Sequence, residues 1–208
     1  MIIGITGGIG SGKSTIARAL AARGYAVYDC DKEAKRIIAE NHDVQQQIIN
    51  LFGEKSFING IYDTQYISKC VFSPSLEGRS GEALLAQLNA IVHPAVKEDI
   101  LSLPSTGRLG GAPFLFLESA ILYEAGLDAI CDKIFVIEAP EDIRIARTIA
   151  RDYNGDASPE NIDKVRARIR AQQSSSPLHG GTERGFILIN DGKKSIEELA
   201  EEIIALLN

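Results

Sequence analysis

Gly7-Gly8-Ile9-Gly10-Ser11-Gly12-Lys13-Ser14 spells G-x-x-x-x-G-K-S, the pattern of a loop that cradles phosphate. The β-branched run Ile2-Ile3-Gly4-Ile5-Thr6 before it reads as a buried strand, and Ser14 to Arg23 after it reads as a helix. Glycines can take positive φ without a Cβ clash, so successive N–H groups can converge on one anion held at the positive end of the following helix. Lys13 would reach the β- and γ-phosphates of a nucleoside triphosphate, and the Ser14 hydroxyl would be one ligand of a phosphate-bound Mg²⁺. The expected triphosphate contacts are Gly8, Ile9, Gly10, Ser11, Gly12, Lys13, Ser14 and the adjoining Thr15.

Outward from that loop, the remaining signals fit an α/β protein. At 208 residues the chain can form one domain with an insertion, burying roughly 70% of its unfolded surface. A net charge of −6 and pI near 5.2 argue against a nucleic-acid partner. Cys30, Cys70 and Cys131 are an odd number without a C-x-x-C, so neither zinc nor a disulfide framework is expected, and a reducing cytoplasm is. A basic leader before an apolar stretch is missing, as is any run of 18 apolar residues, so neither secretion nor membrane spanning is expected.

After Gly24, Tyr25 to Tyr28 reads as a second strand leading into Asp29-Cys30-Asp31. Ligands of open parallel sheets bind at the carboxyl ends of the strands, so Asp29 or Asp31 could face the γ-phosphate; the alternative is that one caps the next helix. Lys32 to Phe52 has a helical pattern, Phe57 to Tyr62 reads as a hairpin about Asn59-Gly60, and about Asp63 to Leu103 is helical again. That excursion, approximately residues 32–105, exceeds what a βαβ crossover needs and points to an inserted substrate-binding subdomain. Within it His93 is either a substrate contact or a packed residue fixing a turn before Pro94.

Pro104 to Pro113 is a loop, and Phe114 to Leu117 is a buried strand ending in Glu118, a candidate to hold Mg²⁺ or its water shell. A fourth strand spans Lys133 to Ile137, with Pro140 expected in the first turn of a helix. Arg144, Arg147 and Arg151 share one face of that helix, and Arg166, Arg168 and Arg170 follow. They are either solvated charges answering neighbouring acids or a lid over the triphosphate, approximately residues 141–172. Asn154-Gly155-Asp156 is a break in this region, and Ser174 to Gly181 reads as a linker. Phe186 to Ile189 makes a fifth buried strand, and Ser195 to Leu207 a closing helix with Glu198 in a capping box. A GTP-sensing switch is disfavoured, because no Asn-Lys-x-Asp guanine signature is present.

Three segments together carry a family resemblance: Gly4 to Thr15, Val27-Tyr28-Asp29-Cys30-Asp31, and Leu88-Asn89-Ala90-Ile91-Val92-His93-Pro94. With them the chain resembles dephospho-CoA kinases over essentially its whole length; the first segment is shared with other small kinases, the others are narrower. The resemblance implies a P-loop, nucleotide-kinase-like three-layer fold with a five-stranded parallel sheet, a helical CoA subdomain and a lid. It implies transfer of the ATP γ-phosphate to the ribose 3′-hydroxyl of dephospho-CoA, with Mg²⁺, in the cytoplasm. Asp31 matches the catalytic aspartate, and Lys13 is expected to act with it. Arg147 and Arg151-Asp152 match the lid pattern, Gln172 lies near an expected glutamine, and Asn190 matches an asparagine near the adenine. The family often has Asp then a Pro-Leu-Leu-Phe-Glu-like run where this chain reads Glu118 to Glu124. Glu118 therefore stays assigned near Mg²⁺, and Glu124 is a structural or substrate-side contact.

Overall fold

The computed structural model describes residues 1–72, 79–106, 109, 111–175 and 184–207. The chain divides into two compact units, Met1–Asp29 with Leu109–Asn208, and Cys30–Arg108.

The first unit is built on a parallel sheet. Strand β1 is Ile2–Thr6, helix α1 Lys13–Ala22 and strand β2 Ala26–Asp29. The second unit opens with helices α2 (Cys30–Glu40) and α3 (His42–Phe52), the hairpin β3 (Phe57–Ile58) and β4 (Ile61–Tyr62), and helices α4 (Thr64–Val71) and α5 (Gly81–Ser102). The chain then returns to the first unit with β5 (Leu115–Glu118), β6 (Lys133–Glu138), helices α6 (Glu141–Asp152) and α7 (Pro159–Ser175), β7 (Gly185–Ile189) and α8 (Ile196–Ala205).

The sheet order is β2-β5-β1-β6-β7, all parallel. The chain runs from β1 to β2 and β5 on one side of the sheet and then crosses to β6 and β7 on the other, so the crevice for a ligand opens at the carboxyl end of β1, where the glycine loop begins. Ile3 and Ile5 point into a core shared with Ile16 and Leu20 of α1 and Leu199, Ala200 and Ile203 of α8. Gly4 alternates to the other face, where a Cβ would stand 2.9 Å from Leu122 Cδ2 and 3.1 Å from Cys131 Sγ. At the far edge Phe186 stacks on Phe135 at 5.1 Å.

Several elements differ from the sequence expectation for identifiable reasons. The helical stretch 32–52 is two helices, because the Asn41 carboxamide accepts the Asp43 and Val44 N–H groups at 3.0 and 3.1 Å and starts α3 afresh. Helix α5 runs through Pro94 without the expected turn. Val92, Val96 and Ile100 are buried on both sides of that proline, and their packing outweighs the lost hydrogen bond. The region 63–103 is also two helices, each with its own cap at Asp63 and Ser80. Strand β7 is an edge strand, half-exposed at Ile187 and Ile189 rather than fully buried. The Asn59-Gly60 hairpin has φ 51° and 77° at its two turn residues, as a type I′ turn requires. Ser195 and Glu198 form the capping box on α8. Most of the expected linker from Ser174 to Gly181, and part of the Pro104 to Pro113 loop, lie outside the described residues. Cys30, Cys70 and Cys131 are free and buried, and among the described residues no helix is long and apolar enough to cross a membrane.

Phe135→Ala should cost about 3–5 kcal/mol, read from the urea midpoint at unchanged slope, since the ring is fully buried and its removal leaves a cavity in the sheet.

Candidate active site

The glycine loop leaves β1 with Gly10 at φ 76° and Gly12 at φ 95°, the latter as the left-handed N-cap of α1. At Gly12 a side chain is excluded twice over, because a Cβ would also run into Asn190 Nδ2. The Ser11 N–H donates to the Gly8 carbonyl at 3.0 Å, tightening the loop. A cavity of about 570 Å³ opens against it, lined by Gly8, Gly10, Gly12, Lys13, Ser14 and Thr15 together with Arg18, Arg147, Arg151, Asn190 and Ile196. Its charged lining is entirely cationic in a chain of net charge −6, as an anion site requires.

Glu118 closes this site from the neighbouring strand. Its Cα is in register with Ile5 of β1 on one side and Asp29 of β2 on the other, so sheet pairing alone brings two carboxylates beside the start of the loop. Glu118 Oε1 accepts from the Ser14 hydroxyl at 3.0 Å and lies 3.6 Å from Lys13 Nζ. Among the described residues no cluster of three or more His, Cys, Asp or Glu could bind a metal unaided. A hydroxyl and one carboxylate at a phosphate cradle suit Mg²⁺, which keeps several waters and completes its shell with substrate phosphate.

The second half of the unit satisfies the outward side of the loop. Arg144 Nε donates to the Ile9 carbonyl at 2.8 Å. Arg147 Nη1 reaches the Ser11 and Asn190 carbonyls at 3.4 and 3.2 Å, and its Nη2 donates to Asn190 Oδ1 at 3.1 Å. Asn190 Nδ2 returns a bond to the Ser11 carbonyl at 2.8 Å. The Asn190 N–H itself donates to the Glu138 carbonyl at 2.7 Å. Burial pulls the Arg144 guanidinium below its ordinary basicity, partly countered by Glu141 and Glu138.

The two arginine runs behave differently. Arg144 and Arg147 grip the loop, and Arg151 lines the cavity while its Nε donates to Asp152 at 2.6 Å. On α7, Arg168 meets Asp152 at 2.8 Å and Arg166 meets Asp163 at 3.7 Å, so these two answer neighbouring acids. Hydrogen bonds from Arg151, then from Arg168, hold the Asp152 carboxyl down at about 2.

Of the expected site residues, the structure therefore brings Lys13, Ser14, Glu118, Arg147, Arg151 and Asn190 to the loop. Glu124 is exposed in the turn after β5. Asp31 lies exposed in the first turn of α2, and His93 is half-buried in α5, where burial lowers its pKa; both belong to the second unit. Sequence reading did not assign Arg144 to the site. Its spacing from Arg147 marked the helix face, but nothing in the spacing says which carbonyl the guanidinium meets.

Residues 1–193 match the family model for dephospho-CoA kinase. The chain belongs to the dephospho-CoA kinase family. A dephospho-CoA kinase from Bacteroides fragilis is 35% identical over 206 residues, 99% of this chain and 92% of that one. The crystal structure of TT1252 from Thermus thermophilus superposes at TM-score 0.73 with 31% identity, over 100% of this chain and 98% of that one. The dephospho-CoA kinase from Campylobacter jejuni shares the fold at TM-score 0.65 and 21% identity, over 99% and 96% of the two chains. In this member of the family, the phosphate loop, its cationic cavity and Glu118 form one constellation.

Gly12→Ala should cost about 1–3 kcal/mol from the positive φ and push Asn190 off the loop; thermal melting and loss of Mg-ATP binding check it. Asp152, with a folded pKa of about 2 against an ordinary 3.8, contributes stability that is complete above the higher value and lost as pH falls through the lower one. Wild type should therefore lose its stability advantage over Asp152→Asn between those two values, read from denaturant midpoints across that pH window.

Proposed function

We propose that this protein transfers the γ-phosphoryl group of ATP to the ribose 3′-hydroxyl of dephospho-CoA, giving coenzyme A and ADP, the last step of coenzyme A synthesis. The observation that carries the reading is the Lys13–Ser14–Glu118 constellation on a glycine loop, in a chain matched to the family over residues 1–193.

The loop amides and Lys13 hold the β- and γ-phosphates in line with the acceptor, which is most of what phosphoryl transfer asks of a protein. Ser14 and Glu118 would hold Mg²⁺, which supplies charge neutralisation on those phosphates when bound. The acceptor oxygen bonds to the γ-phosphorus, the bond to the β-phosphate oxygen breaks, and ADP leaves. Asp31 orients the 3′-hydroxyl and accepts its proton. An ordinary carboxylate suffices, because in a loose transition state that proton leaves late. Arg147 and Arg151 add positive charge around the transferred group, and Asn190 lies toward the adenine.

The helical segment of approximately residues 32–105 is assigned to CoA binding, with His93 as a contact, and Glu124 and Arg151 stand on the acceptor side. Residues 141–172 form the lid. We place the reaction in the cytoplasm, where three buried free thiols stay reduced.

ADP release from Mg-ATP should be strongly stimulated by dephospho-CoA and not by AMP or adenosine, with the product phosphorylated at the 3′ position. Stimulation by another acceptor alone would overturn the assignment. Asp31→Asn should lower kcat by about 10²–10⁴ while ATP affinity stays within about twofold; near-normal turnover would remove Asp31 from its role.

A further inference from the structure

Ile9 sits at the tip of the phosphate loop, and both of its backbone polar groups are held by side chains from elsewhere. Its N–H donates to Gln172 Oε1 of α7 at 2.7 Å, and its carbonyl accepts from Arg144 Nε of α6 at 2.8 Å. The flanking glycines leave no slack, because a Cβ on Gly8 would run into the Arg144 guanidinium and one on Gly10 into the Arg144 backbone. Gln172 Nε2 also points to the Ala120 carbonyl at 3.4 Å, two residues past Glu118. One carboxamide thus spans the loop that receives phosphate and the segment that follows the acidic strand end.

Arg144 is only 7% exposed. It forms no ion pair within 4.0 Å among the described residues, and its Nη2 is buried without a hydrogen-bond partner there. Glu141 and Glu138 act on it only at longer range, and a desolvated cation without a contacting carboxylate is costly to keep; the glycine backbone is what separates it from the cradle. An anion on the loop would offset that cost at short range through a medium that screens little.

We propose that Arg144 and Gln172 are positioning residues for phosphoryl transfer: they clamp Ile9 so that the loop is shaped before nucleotide arrives, and the buried charge of Arg144 favours a polyphosphate on the loop's other side. The proposal rests on reading this loop as the ATP site. It separates two contributions, a geometric one shared by both side chains and a charge that only Arg144 supplies. Lysine at 144 keeps the charge and loses the planar donor; methionine loses both.

Mg-ATP binding by calorimetry and thermal melting should be measured on the full chain as wild type, Arg144→Met, Arg144→Lys and Gln172→Leu. Arg144→Met should weaken Mg-ATP at least tenfold, Arg144→Lys should recover at least a third of that loss on a logarithmic scale, and Gln172→Leu should weaken it at least threefold. A role confined to folding would lower the melting temperature and leave Mg-ATP affinity within twofold, which would overturn the proposal. So would Arg144→Lys binding no better than Arg144→Met. If Arg144→Met does not fold, Gln172→Leu decides alone, the same threefold loss supporting the clamp and an affinity within twofold overturning it. Wild type that binds no Mg-ATP would sink the functional reading as well; wild type that binds it, with all variants unchanged, sinks only the clamp.

Discussion

A glycine loop shaped to receive phosphate leaves carbonyls on its outer side, and buried carbonyls need donors. That constraint organises much of the first unit. The carbonyls of Ile9 and Ser11 are met by Arg144, Arg147 and Asn190. Those residues come from α6 and from the end of β7, which in turn is placed by its pairing with β6. The loop is thus supported by chain more than 130 residues away in sequence, which makes the phosphate cradle a product of the whole sheet and not of a local turn.

Charge follows the same plan. The protein is acidic as a whole, yet the charged side chains lining the cavity are Lys13, Arg18, Arg147 and Arg151. Glu118 is the counterweight: buried to 6% exposure, it takes the Ser14 hydroxyl and approaches Lys13. Its position follows from strand register, the same register that puts Asp29 beside it. Arg166 and Arg168 of α7 face acids instead, and Asp152 joins the end of α6 to α7 through Arg168. Two arginine-rich helices with similar composition therefore do different work, decided by what stands opposite each guanidinium.

Strong local chemistry was legible in the sequence. The glycine pattern, the β-branched runs and the capping residues at Asp63 and Ser195 each act within a few residues, and each stands where the pattern put it. Helix boundaries were less legible where two local signals compete. Asn41 interrupts an otherwise helical run by capping the next helix, and Pro94 fails to interrupt one because buried valines hold it together.

The order of residues by itself determined that a phosphate loop follows the first strand, that acids end two later strands, and that five strands alternate with helices. It did so because glycine conformational freedom, side-chain branching and capping are properties of short segments. Which carbonyl each arginine meets, that β7 is an edge and β1 the centre, and that Gln172 and Arg144 close on the same residue were decided only by the tertiary structure. Such contacts join segments far apart in the chain, and they exist only once sheet register and helix packing have fixed distances that spacing along the sequence does not encode.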